Sequence, residues 1–263
     1  MIKKVALICL LTQLSFSSLI LPEDSSNINY THILFEWSQM ENASEYQIQL
    51  SDDINFTNIL KDIMSESLIY IDKNSIDWDS QYYWRVRAID SNGNEGFWSE
   101  ISSFSTSQKR SNAESIVYDN SNLQEGLTIF SSFFDYFTAM IDSNGNEVWN
   151  SEDSNLVYYS NDGYGKLYGT QFNSSNPLLS GIEFSIDNDI TWSETGESYV
   201  HHDFFKLPNG NYLGIAEAYQ DGPIPENIDA SVLFQFQMIG YPTYPTSDLF
   251  IFPWVGDEII EWD

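Results

Sequence analysis

The chain holds three histidines, and two of them are adjacent: His201 and His202, followed at once by Asp203. The single cysteine, Cys9, lies in an apolar N-terminal stretch, and no Gly-x-Ser-x-Gly elbow singles out a serine. An imidazole pair beside a carboxylate is therefore the one concentration of proton-transfer or nucleophilic chemistry in the sequence. Residues 200–207 alternate as a strand, Pro208-Asn209-Gly210-Asn211 reads as a tight turn, and Tyr212 begins the returning strand. Neighbouring side chains on a strand point to opposite faces, so only one of the two imidazoles is expected to address a given pocket. The pair is a poor metal site for the same reason. Ligands sharing one strand face stand two apart, and no further histidine completes a zinc set. The plain alternative is a polar strand end beside a turn.

The elements around the pair read as β-structure. Aromatic residues make up 16% of the 263 residues, turn dipeptides separate short apolar runs, and no long segment keeps a 3.6-residue apolar period. The fold class expected is all-β. Over residues 28–106 the short strands include Ile33-Leu34-Phe35-Glu36-Trp37, Tyr46-Gln47-Ile48-Gln49-Leu50 and Tyr82-Tyr83-Trp84-Arg85-Val86-Arg87-Ala88. Phe97-Trp98 and residues 101–106 follow a turn at Asn92-Gly93. Such a series suits a β-sandwich. His32, at its start, reads as a surface or packing residue. The polar run 107–114, with Lys109 and Arg110, is expected to be a linker.

Over residues 115–263 a hairpin phrase repeats: a strand, an Asp/Asn/Gly turn, then a β-branched residue and a tryptophan. It runs through Asp142-Ser143-Asn144-Gly145 to Val148-Trp149 and through Asp187-Asn188-Asp189 to Thr191-Trp192. It begins again at Gly256-Asp257-Glu258-Ile259-Ile260-Glu261-Trp262. Such units suggest propeller blades, and a ring that stops in mid-phrase predicts a truncated propeller. The Asp90 and Asp142 turns place glycine fourth, where a calcium loop needs it sixth, so they are read as hairpin turns.

Lys3 and Lys4, the apolar run 5–14 and the small residues Ser15 and Ser17 have the form of a secretory signal peptide over residues 1–17, too short to span a bilayer. A secreted or periplasmic protein is expected, with no membrane insertion after the leader and, since Cys9 leaves with it, no disulfide. The formal net charge is −29, from 39 Asp and Glu against 10 Lys and Arg. Such a surface repels nucleic acid and anionic membranes, so neither is expected as a partner. No cofactor motif is present, and nothing sets the oligomeric state.

Two resemblances add to this. Trp37, the run from Tyr82 to Ala88 and the later Gly96-Phe97-Trp98-Ser99 resemble a fibronectin type III domain. That implies Tyr82 as a tyrosine-corner residue, Trp37 and Trp84 as core, and no catalytic role. Over residues 115–263 the run His201-His202-Asp203-Phe204 with Leu207-Pro208-Asn209-Gly210-Asn211 resembles a signature of the bacterial arylsulfate sulfotransferases. Gly126-Leu127-Thr128-Ile129-Phe130, Ile141-Asp142 with Gly145 and Val148-Trp149, and the phrase from Gly256 to Trp262 agree in order and spacing.

The second resemblance implies a six-bladed propeller with a central funnel. It implies transfer of a sulfuryl group from a phenolic sulfate ester to a phenol acceptor through a sulfohistidine, without a cofactor. The partners would be a small aromatic sulfate donor and a phenolic acceptor. His202, followed by Asp203, matches the family's His-Asp and is expected to bind sulfate or carry a proton, with His201 on the opposite strand face. The family's nucleophilic histidine falls in a later blade. No histidine follows His202 here, so the nucleophile is expected beyond Asp263 and the chain alone is expected to be inactive. Electrostatics agree: residues 111–263 hold 24 carboxylates and only Lys166 and Lys206 as bases, whereas an anionic ester needs local positive charge. A different class stays open, a non-catalytic secreted propeller with a fibronectin type III module for adhesion or carbohydrate binding.

Overall fold

A computed structural model describes residues 18–122, 124–174, 176–195, 198–222, 229–238 and 252–263. The expected leader, residues 1–17, lies outside the described residues. The fold is all-β apart from short helical segments, and no helix among the described residues is long and apolar enough to cross a membrane. The chain divides into two compact units. One comprises the residues up to Thr128 with Ala139–Glu152; the other comprises Ile129–Thr138 with Asp153–Asp263.

The first unit contains β1 (Leu19–Leu21), β2 (Ser26–Ile28), β3 (Ile33–Trp37), β4 (Glu45–Ser51), β5 (Ile59–Ser65), β6 (Ile69–Asp72), β7 (Gln81–Ile89) and β8 (Ser102–Thr106). They form two sheets, in the orders β1-β3-β6 and β2-β8-β7-β4-β5. Alternation decides which side chains face inward. Ile33, Phe35 and Trp37 of β3 are buried, as are Tyr82, Trp84 and Val86 of β7, while the residues between them are half-buried. With Tyr46, Ile48, Leu50 and Phe104 they make one core, in which Phe35 meets Trp84 edge-on at 5.1 Å.

The indole N–H groups of Trp37 and Trp84 are buried without a hydrogen-bond partner among the described residues. An unpaired donor costs about 1–3 kcal/mol, less than the roughly 3–5 kcal/mol lost when a buried tryptophan is truncated. Ring burial therefore wins. The Tyr82 hydroxyl accepts the Asp77 N–H at 2.7 Å, the backward reach of a tyrosine corner.

Phe97-Trp98 differs from the expected strand. Phe97 is exposed, and the Trp98 ring lies against the guanidinium groups of Arg85 and Arg87 at 4.3 and 4.4 Å. Cation–π contact seats the ring, and on either side of it the Gly96 and Ser99 N–H groups donate to the Ala88 and Val86 carbonyls of β7, both at 2.8 Å. The run 107–114 is tied down, because the buried Glu147 carboxylate accepts the backbone N–H groups of Arg110 and Ser111. Glu147 opens β11 (Glu147–Asn150), which pairs with the end of β10 (Phe137–Ile141), so the chain does not divide at a single point.

The second unit holds most of β9 (Thr128–Ser132) and the start of β10, then β12 (Leu156–Asn161), β13 (Leu167–Asn173), β14 (Asn176–Phe184) and β15 (Ile190–Ser193). β12 to β15 form an antiparallel meander in chain order. A second sheet contains β16 (Val200–Lys206), β17 (Tyr212–Gly222) and β18 (Phe252–Trp262), again antiparallel. Residues 256–262 thus complete the sheet of the histidine hairpin and do not open a new one.

A helix not expected from the sequence, α1 (Ala230–Met238), is started by Asp229, whose Oδ1 accepts the Ser231 N–H at 2.8 Å. Nine residues are too few for a helical period to stand out. The hairpin turns form as read. Gly93, Gly145 and Gly210 have φ of 80°, 82° and 98°, and the Asp90 and Asp142 carboxylates each accept two backbone N–H groups of their own turn.

Candidate functional site

Strand β16 departs from regular geometry at the histidines. Its register against β17 runs Val200↔Ala216 and then Phe204↔Gly214, so residues 201–203 stand opposite the single residue Ile215. His202 has φ of 66°, in the left-handed region. Extra residues on one strand form a bulge that re-aims the side chains around it. This corrects the expectation that the two imidazoles face opposite ways. Alternation holds only where the backbone stays extended, and here His201 and His202 line the same cleft, their rings edge-to-face at 4.6 Å.

The cleft has a volume of about 840 Å³ and lies wholly within the second unit. Its walls are aromatic: Phe130, Phe133 and Phe134 from β9 and the turn after it, Tyr158 and Tyr159 from β12, and Tyr199. Glu217 of β17 and Asp257 of β18 complete it. Local hydrogen bonds fix the tyrosine wall. The Ser131 and Thr138 hydroxyls meet at 2.9 Å, Thr138 Oγ1 donates to the Leu156 carbonyl at 2.7 Å, and the Tyr158 N–H donates to Ser131 Oγ at 2.8 Å. Burial pushes the Tyr159 and Tyr199 phenols above their ordinary range, with Tyr136 and Glu217 adding to the effect at Tyr199.

His201 is only 8% exposed, whereas His202 is open to solvent. His201 Nε2 lies 3.3 Å from Asp257 Oδ1 but off the line of a hydrogen bond, so this buried nitrogen has no hydrogen-bond partner among the described residues. Among the described residues no three His, Cys, Asp or Glu side chains converge to hold a metal.

Neither lysine of the second unit lines the cleft. Both bind the buried Glu183, Lys166 at 3.2 Å and Lys206 at 3.0 Å, and Lys206 also donates to the Tyr212 hydroxyl at 2.9 Å. Burial alone would raise the Glu183 carboxyl. Hydrogen bonds from Thr191, Lys206, Tyr212 and Lys166 outweigh it and hold the group at about 2. A carboxylate whose folded pKa lies below its unfolded value stabilises fully above the unfolded value, near 4.5, and loses that contribution as pH falls towards about 2. Glu183→Gln is expected to flatten the acid-unfolding curve through that window, read by tryptophan fluorescence. A curve of unchanged shape would show the carboxylate to be dispensable.

Sequence reasoning found the imidazole pair but not Glu217, Asp257 or the Tyr158-Tyr159 wall. No motif surrounds these residues. Their only signal is position: Asp257 in the repeated hairpin phrase, and two adjacent tyrosines on a strand.

Fold and cleft together define an all-β protein in which an immunoglobulin-type sandwich precedes a second β unit. Residues 23–109 match the family model described as the Rha78A-like, N-terminal immunoglobulin domain, and form an immunoglobulin or fibronectin type III-type domain. An Fn3-like protein from Clostridium thermocellum is similar at 19% identity and a TM-score of 0.29, over 37% of this chain and 97% of that one. The fibronectin type III domain of human fibronectin type III domain containing protein 3 is similar at 20% identity and 0.29, over 36% of this chain and 87% of that one. A β-1,2-glucanase from Parabacteroides distasonis follows at 23% identity and 0.27; 37% of this chain matches 14% of that enzyme. No curated protein matches the chain.

Proposed function

We propose that the cleft binds a small aromatic sulfate ester and a phenol, as part of a secreted protein that transfers the sulfuryl group from one to the other. The observation that carries this reading is the bulge at His202, which brings two imidazoles to one aromatic-walled cleft. The reaction needs a proton-carrying imidazole within aromatic walls, and a further, nucleophilic imidazole that neither His201 nor His202 supplies. An imidazole nitrogen attacks sulfur, the S–O bond to the phenol breaks, and the departing phenolate takes a proton from a second imidazole. The acceptor phenol then returns its proton to that imidazole as its oxygen attacks sulfur and the S–N bond breaks. His202, open to solvent, is the sulfate-binding and proton-carrying group; His201 supports it. Aromatic walls hold the two aryl rings. The meander β12 to β15 has the form of a four-stranded propeller blade, and β16 to β18 have the form of three strands of another, which supports the propeller reading.

Titration of the full chain with 4-nitrophenyl sulfate, followed by intrinsic fluorescence, tests this. Saturable binding is expected, weakened about tenfold or more by His202→Ala, since a hydrogen bond to a charged group contributes roughly 1.5–3 kcal/mol. Equal affinity in the variant would remove His202 from the site. A second reading, a non-catalytic cleft for uncharged aromatic or sugar rings, is favoured by one observation: Glu217 and Asp257 line the cleft while both lysines are held by Glu183. It expects a neutral 4-nitrophenyl glycoside to bind and the sulfate ester not to.

A further inference from the structure

Glu217 and Asp257 are direct cross-strand partners in the β17–β18 ladder. Like charges in that position repel and weaken a sheet. No lysine or arginine among the described residues answers them in the cleft: the Lys166 and Lys206 ammonium groups sit on Glu183. The base beside them is His201, whose Nε2 lies 3.3 Å from Asp257 Oδ1 off the line of a hydrogen bond. The Tyr219 hydroxyl donates to Glu217, which satisfies one carboxylate oxygen without supplying a positive charge. Beside the pair, His201 is more than nine-tenths buried, and its Nε2, 3.3 Å from Asp257 Oδ1, has no hydrogen-bond partner among the described residues. A buried polar atom without a partner at the wall of a cavity marks a place where a ligand atom completes the hydrogen bonding. A paired carboxylate site, an orphan imidazole nitrogen and a wall of tyrosine and phenylalanine rings therefore face one volume.

We infer that the ligand preferred by this cleft is an aromatic ring bearing a cationic amine, with the ammonium between Glu217 and Asp257 and the ring against the aromatic wall. A primary ammonium offers three donors, enough to reach a carboxylate on each strand. Its charge also favours the faces of the neighbouring tyrosines. His201 Nε2 takes the ligand's hydroxyl or amine. The inference rests on the aryl-binding reading above and names the acceptor class within it.

The test compares three probes of one ring and nearly one size: 4-hydroxybenzylamine, 4-hydroxybenzyl alcohol and 4-hydroxybenzoate. Each is titrated calorimetrically into the full chain at neutral pH and low salt, with a chelator present so that no divalent cation contributes. The amine is expected to bind about tenfold or more tightly than the alcohol, and the benzoate most weakly. The gap between amine and alcohol is expected to shrink as salt is raised, and to close in Glu217→Gln combined with Asp257→Asn. Equal affinity for amine and alcohol, or tightest binding of the benzoate, overturns the inference while leaving aryl binding intact. A gap that survives both salt and the double substitution overturns the role of the carboxylates. If none of the three binds, the aryl-binding reading fails and the inference falls with it.

Discussion

Phe204→Ala is expected to lower the unfolding free energy of the second unit by about 3–5 kcal/mol, the cost of truncating a fully buried aromatic side chain. The ring has no exposed surface and stacks with Trp192 at 5.9 Å and Tyr212 at 5.6 Å, with Trp262 tilted against it at 5.8 Å. Two glycines make room for it. A Cβ at Gly181 would come within 2.6 Å of the ring, and one at Gly214 within 2.8 Å. Glycine backbone paired in a sheet cannot collapse into the space the ring leaves, so the loss should lie high in the range. The effect extends to the cleft, because Phe204 ends the bulge and its carbonyl accepts the Ser160 hydroxyl at 2.6 Å. Urea unfolding followed by fluorescence measures it. A loss below about 1 kcal/mol would mean that the ring is not the centre of this core.

Gly169→Ala should damage the same unit by the opposite route. Gly169 faces Tyr158 across the β12–β13 ladder. A Cβ there would overlap the Val157 carbonyl oxygen and stand 3.1 Å from Tyr158 Cα. These are backbone atoms, so no side-chain rotation relieves the clash. A loss at or above the usual roughly 1–3 kcal/mol for overpacking is expected. Part of the strain is relieved by moving β12, which carries Tyr158 and Tyr159. Aryl binding should therefore weaken even below the unfolding midpoint. Thermal unfolding and phenol titration of the same sample read both effects, and a variant matching the parent in each would refute this close strand contact.

Much of the sandwich can be read from the chain itself. The period-two pattern of Ile33, Phe35 and Trp37 is a strand with those three inward, and Tyr82, Trp84 and Val86 behave likewise. Asn-Gly and Asp-Asn turns predict hairpins because they tolerate a left-handed φ. These signals are local: each depends on a few consecutive residues and on one buried face. Trp98 escapes such reading because its partners are Arg85 and Arg87, on a strand that precedes it by more than ten residues. A nine-residue helix with a single aspartate cap is likewise too brief to show.

The sequence by itself determined the all-β class, the sandwich core, the hairpin turns and the place where imidazole chemistry is concentrated. Only the tertiary structure decided what that concentration faces. The side-chain direction of His201 and His202 depends on how many residues of β16 stand against each residue of β17, and a bulge changes that count without any mark in the residues that form it. The pairing of Glu217 with Asp257, and the diversion of Lys166 and Lys206 to Glu183, are likewise matters of register between segments far apart in the chain. Register is set by the burial of whole strand faces, a cooperative property that no short stretch of sequence contains.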